Sequence, residues 1–320
     1  MSDYSDPNHR PLRVITFLAA HATGAFTLAE IARFLRLSKG SAHRVMTTLN
    51  EAGFVARHPR HKTYTLGMAL VAIGQAALER YPGIGFARRE MARLLAELDV
   101  GFSATAIVND EYLLLEKAGT PRSHDGLVRV GERRVVIPSI GIGQIAWRSQ
   151  DEIEAYLAKG AAYLSDEVRD HLRAAFPEIR RRGFSMAANG LGIHRLIDAT
   201  LIPLGHAAET QLSAKALNAV RDVSASEFQM LDFEEARGKG VNYVAAPVFS
   251  PEGEVCLEIV MSGFPETLGV PDIERYIAKL VRAADIVTNE IRGRKPAHSD
   301  KGAHVFRSDG AQRSDMIAPR

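Results

Sequence analysis

The sequence predicts an α+β chain in two parts. A winged helix–turn–helix at the N-terminus is joined by a linker helix to a larger antiparallel sheet flanked by helices. Three observations carry this prediction. Residues 11–66 alternate helix-period and strand-period patterns in the order helix, helix, short turn, helix, basic hairpin. Further along, two β-rich stretches are each folded back on themselves by a short turn. Finally, residues 1–66 hold nine Lys/Arg against four acids while the whole 320-residue chain carries only +2. One basic end on a mildly acidic body points to a polyanion partner for that end alone.

Residues 1–10 read as a polar tail. Pro11 suits the first position of a helix whose inner stripe is Leu12, Ile15, Leu18 and Ala19, stopped by Gly24. In "TLAE", Thr27 and Glu30 form a capping box for a second helix lined by Leu28, Ile31, Ala32 and Leu35. "LRLS" is the turn, and Ser38 caps a third helix that ends near Gly53. "FVAR" and "KTYTL" make a hairpin around "HPRH". Residues 67–83 form the linker helix, with Leu70, Ile73 and Ala77 on a face suited to a dimer contact.

The second domain is expected over 84–293. It opens with a helix carrying Met91, Leu94, Leu95 and Leu98, followed by the hairpin "SATAIVNDEYLLLEKAG". Strands are expected at "GLVRV" and "RRVVIP", and helices at "GQIAWRS", "DEIEAYLA" and "SDEVRDHLRAAFPEIRRRG". "VNYVAAPVF" and "VCLEIVMSG" flank the turn "SPEGE" as a second hairpin, and a long amphipathic helix closes the domain. Paired hairpins with gathered helices indicate an antiparallel α+β sheet. Residues 294–320 are polar and aperiodic and are expected to be disordered.

The third helix holds the chemistry. Ala42, Val45, Met46 and Leu49 fall on one side, while Arg44, Thr47 and Thr48 fall opposite, with Lys39 and His43 at the edges. Gly40 in the first turn leaves room for another molecule. Free amides at a helix start favour phosphate, arginine can fork onto phosphate or guanine, and threonine reaches backbone or base edges. Arg57, Arg60, His61 and Lys62 give the hairpin a cationic loop. The candidate DNA-binding residues are therefore Thr27, Ser38, Lys39, Gly40, Ser41, His43, Arg44, Thr47, Thr48, Arg57, Arg60 and Lys62. The expected partner is double-stranded DNA.

Other chemistries find little support. One cysteine, Cys256, excludes an internal disulfide and suits a reducing compartment. No signal core or bilayer-length apolar run is present, so a cytoplasmic protein without a membrane partner is expected. "GIGQIA" has dinucleotide-loop glycine spacing, but Pro138 interrupts the preceding strand. His171, His194, His206 and Cys256 lack metal-ligand spacing, and Ser139 lacks a nucleophile elbow. Trp147 is expected in the core. No cofactor and no enzyme activity are expected. The competing readings are an enzyme in the C-terminal α+β domain docked by its N-terminal domain, and a non-specific nucleic-acid-packaging protein.

With "TLAEIARFLRLSKGSAHRVMTTLNEAGFV", "YTLG", "VGERRVVIPSIGIGQIAW", "IRRRGFS" and "GVNYVAAPVFSPEGEVCLEIVMSG" assembled, the chain resembles the IclR-type family of bacterial transcriptional regulators over residues 12–292. The resemblance implies a GAF-like effector domain, a homodimer or tetramer on a near-palindromic operator, and a small organic effector that alters operator binding. Control of a catabolic operon is expected on the same ground. It also implies an effector pocket at Gly141, Ile142, Asp232, Tyr243, Val260 and Ser262. Tyr243 and Val260 replace smaller polar residues of some members, which points to a bulkier ligand such as an aromatic acid. Residues 188–231 exceed the usual link at that place. Leu191, Ile193, Leu196 and Ile197 make the segment apolar enough to cover the pocket or to join a subunit contact.

Overall fold

A computed structural model of the chain describes residues 9–79, 81–119, 130–202, 214–220, 223–236, 239–265 and 268–293. Residues 1–8 of the expected 1–10 tail, the expected tail 294–320, most of "GLVRV", His206 and parts of the 188–231 segment lie outside the described residues, while Arg10 already belongs to the first helix.

The N-terminal unit begins with α1 (Arg10–Ala20), β1 (Phe26–Thr27), α2 (Leu28–Phe34) and α3 (Lys39–Glu51). The strands β2 (Val55–Arg57) and β3 (Thr63–Leu66) complete it, and the sheet order is β1-β3-β2. The capping box forms: the Glu30 amide donates to Thr27 Oγ1 at 3.3 Å, and the Thr27 amide donates to Glu30 Oε2 at 2.8 Å. Val14, Leu18, Ile31, Leu35, Met46, Leu49, Val55 and Tyr64 form one core. In α1 the buried stripe is Val14 and Leu18 rather than the expected set starting at Leu12, which is 61% exposed. An i, i+4 pair aimed at α2 and α3 suffices for so short a helix.

Next come α4 (Ala69–Glu79) and α5 (Pro82–Glu97), parted at Tyr81 and Pro82, so the expected linker helix is α4 and ends earlier than residue 83. The larger sheet contains β4 (Gly101–Val108), β5 (Glu111–Ala118) and β6 (Arg133–Val135). The β4–β5 turn places Asn109 and Asp110 at φ 50° and 61°, the left-handed pair that a two-residue hairpin requires. The helices α6 (Ile142–Ile145), α7 (Gln150–Ala158) and α8 (Asp166–Arg182) follow. Ser149 and Ser165 cap α7 and α8, and α8 continues through Pro177 to a left-handed Gly183.

The chain continues through β7 (Ser185–Ala188), α9 (Leu191–Ala199), β8 (Leu201–Ile202), α10 (Ala214–Val220) and α11 (Ala225–Phe228). It ends with β9 (Val241–Phe249), β10 (Val255–Ser262) and α12 (Val270–Gly293). The sheet runs β7-β9-β10-β4-β5-β6-β8, with every pair antiparallel.

Strand parity divides this domain into layers. On β10, Leu257, Ile259 and Met261 face α5 and α12, joining Met91, Leu94, Leu280 and Val287 in one core. A second core gathers α6 to α10 around Ile142, Ile153, Leu172, Ile179 and Leu196. The alternate β10 residues, Glu258, Val260 and Ser262, point to a space between the sheet and this second layer.

Candidate nucleic-acid interface and ligand cavity

The α3 helix sorts its residues as an inserted helix should. Ala42, Met46 and Leu49 are buried and hold it on α1, α2 and the hairpin. Lys39, Gly40, His43, Arg44, Thr47 and Thr48 are exposed, as is Ser38, whose hydroxyl accepts the Ser41 amide at 3.2 Å. A Cβ placed on Gly40 would meet nothing within 4 Å, so the packing of the protein does not require the glycine. Among the described residues, nothing engages the Arg44 guanidinium. At about 1.5 Å per residue the helix is roughly 20 Å long, a rod the width of a B-DNA major groove can admit.

Ser41 departs from this set. It is 6% exposed and its Oγ accepts from Arg10 Nη1 at 2.8 Å. It belongs to the buried arc 41, 42, 45, 46, 49, so it secures α1 to α3 rather than facing outward. Thr27 is half-buried in its capping box, with the α2 start beside it.

The wing brings Arg57, Arg60 and Lys62 to the surface. His58 Nδ1 accepts the Arg60 and His61 amides at 3.2 and 3.1 Å, and Lys62 takes φ 56°, so the loop turns tightly. One groove is shared by Thr27, Arg33, Arg36, Lys39, Arg57 and Lys62. Arg33 and Arg36 are absent from the sequence-derived set. Arg36 sits in the turn itself at φ 52°, and a cation there is a usable signal.

The second site is a cavity of about 160 Å³ against the inner sheet face. Gly141, Ile142, Tyr243, Val260 and Ser262 all line it. Asp232 does not. It is exposed, and its Oδ1 accepts the Glu234 and Glu235 amides at 2.9 and 3.4 Å, opening a short 3-10 turn. An Asx cap on the 3-10 turn claims the carboxylate.

The cavity contains three charged groups that the sequence-derived set leaves out, Glu132, Arg134 and Glu258. Arg134, 7% exposed, donates to the Ile197 carbonyl and stands 3.8 Å from Glu132; burial pushes its pKa down. Glu258 is 2% exposed and lies directly across from Thr105 in the β10–β4 register. Gln144 Oε1 accepts the Ile107 amide at 2.8 Å, which turns Gln144 Nε2 toward Glu258 Oε2 at 3.2 Å. The other oxygen, Glu258 Oε1, has no hydrogen-bond partner. Burial pushes the Glu258 pKa up to about 7, and the Gln144 hydrogen bond opposes that rise.

The neck of the cavity is a strained turn. Ser139 holds φ 99° and Gly141 φ 83°. The buried Tyr156 hydroxyl accepts the Ser139 amide at 2.8 Å and donates to the Ile140 carbonyl at 3.3 Å. The strain therefore has a local counterweight, as at many ligand sites.

On the far side, α9 supplies Ile193 and Ile197 to the wall. Glu227, itself 8% exposed, accepts the Ile193 amide at 3.3 Å and the Ser224 hydroxyl at 3.0 Å, anchoring the start of α9. Within the described part of the 188–231 segment, α9 thus forms one wall of the cavity. Trp147 packs edge-on to Phe249 at 5.0 Å, in the core rather than the cavity. Among the described residues no cluster suited to a metal ion is present, and no helix is long and apolar enough to cross a membrane.

Residues 9–59 match the family model of the IclR helix-turn-helix domain. The chain is 26% identical over 168 residues, 49% of its length, to the HTH-type transcriptional regulator KdgR of Escherichia coli K12. That alignment spans 62% of the relative, and a second KdgR, from Dickeya chrysanthemi, is 25% identical over 44% of its length. The chain thus spans about half the length of these curated relatives. Among solved structures, an IclR homologue from Microbacterium hydrocarbonoxydans, complexed with 4-hydroxybenzoate, superposes over 90% of this chain and all of its own. The TM-score is 0.60 at 19% identity. At that identity the likeness concerns the fold alone.

Proposed function

We propose that this chain, an IclR-type protein, is a DNA-binding regulator whose grip on an operator is set by a small organic ligand in the cavity beneath α9. The observation that carries the reading is the exposed α3 face: Arg44, Thr47 and Thr48 stand outward with the cationic wing beside them. The contacts would divide by role. Arg33, Arg36, Arg57, Arg60 and Lys62 would meet phosphates and set register, while Arg44 and the threonines would reach base edges. By analogy with the family, the target would be a catabolic operon and the setting the cytoplasm.

A two-fold dimer is part of this reading. No residue of α4 is buried, and Val71 and Ile73 are 61% and 53% exposed. An apolar helix left bare between two domains suits pairing with its own copy. A footprint on DNA upstream of the gene should then show two protected half-sites in inverted orientation, spaced by whole helical turns. A single protected half-site would contradict the dimer.

Lys62→Ala should weaken binding to all duplexes alike. The slope of log affinity against log salt should flatten by about one for each phosphate that is no longer neutralised. A change confined to one sequence would show that Lys62 reads bases instead.

The cavity is read as a sensor. Glu258, its most perturbed acid, is held by an amide, Gln144, and by no nucleophile or base. Turnover of a bound compound by the pure protein would favour the enzymatic alternative.

A further inference from the structure

The cavity's size and its charge balance restrict what it can hold. At about 160 Å³ it is close to the roughly 150 Å³ engineered cavity known to take benzene, so it accommodates one ring or its aliphatic equivalent. Its charged lining is Glu132, Arg134 and Glu258. Arg134 is already engaged by the Ile197 carbonyl and Glu132. Glu258 has Gln144 on one oxygen and nothing on the other. Among the described residues no cation lies within ion-pair distance of it.

The surroundings of Glu258 are polar but neutral. Thr105 lies opposite on β4, Tyr112 on β5, Ser185 on β7 and Tyr243 on β9. Burial keeps both tyrosines protonated. On α6, a Cβ on Gly143 would lie 2.0 Å from Glu258 Oε1 and 2.7 Å from Ser185 Oγ. The absence of a side chain at Gly143 is what makes room for the carboxyl. An acid is therefore housed here without a counter-charge. A buried carboxylate is costly until paired, and a charge-assisted donor is the strongest partner it can find.

From this geometry we infer that the natural ligand carries a protonated nitrogen, an amine or amidine, that docks on the Glu258 carboxylate. The inference deepens the sensor reading and rests on it. A ligand carboxylate in the same place would face Glu132 and Glu258, with only the engaged Arg134 to offset them. A cation supplies both the missing charge and the missing donors. The rest of such a ligand would lie against Leu114, Ile142, Ile193 and Val260.

The test uses the full-length protein and three probes of one shape: benzylamine, benzyl alcohol and benzoate, titrated by calorimetry. Benzylamine should bind tightest. Glu258→Gln should weaken benzylamine about thirtyfold or more, the loss typical of a broken buried charge pair, and leave benzyl alcohol nearly unchanged. A second variant, Ile193→Trp, fills the cavity from α9 and should exclude all three probes without touching the carboxyl. Tighter binding of benzoate, equal binding of benzylamine to wild type and Glu258→Gln, or binding of none of the three would each overturn the inference. Retention of the footprinted DNA, measured with and without benzylamine, separates the two readings. Amine binding that leaves DNA affinity unchanged upholds this ligand class and refutes ligand control of the operator.

Discussion

Arg44→Ala is expected to abolish selective operator binding while leaving the fold and the cavity untouched. One bidentate arginine contact to guanine is worth about 1–3 kcal/mol of discrimination. A dimer on two half-sites would forgo two such pairings, about 2–6 kcal/mol, enough to bring specific affinity close to the non-specific level. Arg44 is exposed and supports no core contact, so thermal stability should be unchanged. Arg44→Lys should recover charge but not the planar fork, and so should restore affinity without selectivity. The measurement is a titration of each variant on the footprinted duplex and on a scrambled one at several salt concentrations. If the ratio of the two affinities survived Arg44→Ala, α3 would not be the element that reads sequence.

A second large effect concerns Glu258 and pH. An exposed glutamate releases its proton near 4.5, whereas burial holds the Glu258 proton up to about 7. Between these values the native state binds more protons than the unfolded one. The contribution of Glu258 to stability therefore falls as pH rises from about 4.5 through about 7, and levels off above. The full span is about 3 kcal/mol. Tyr112, Tyr156 and Tyr243, which pack around the same space, stay protonated throughout and do not titrate in that window. Glu258→Gln should flatten this part of the profile. It should also raise stability above neutral pH by about 1–2 kcal/mol, the remainder being offset by an amide donor left unpaired. Denaturant melts at acid and alkaline pH measure it. A variant profile as steep as wild type through the same window would mean that the carboxyl is not held protonated.

How far these sites are legible in sequence follows from the range of the interactions. The capping box at Thr27, the caps at Ser38, Ser149 and Ser165, and the left-handed turn at Asn109 and Asp110 are local, and each is visible in a few residues. The outward set around Arg44 follows from 3.6-residue periodicity. Ser41 is legible by the same geometry, since it shares an arc with Val45 and Leu49; its polar side chain suggests an outward role that Arg10 overrides. Glu258 is also within reach, because strand parity places it on the face of Val260 and Ser262. What sequence does not show is distant. The closure of the cavity by α9, the Arg134–Ile197 bond and the meeting of Gln144 with Glu258 join residues up to 114 positions apart. Asp232 fails for a local reason: its carboxylate is taken up by the amides of Glu234 and Glu235 at an exposed turn.

Gly40 separates robustness from recognition. A glycine in a helix is about 1 kcal/mol poorer than alanine, and the open space over its Cα means that no neighbour in the chain asks for it. Enlarging that position should therefore harden the domain against heat without disturbing any contact in the chain, and in the proposed complex it would also crowd the approach of the duplex to the start of α3.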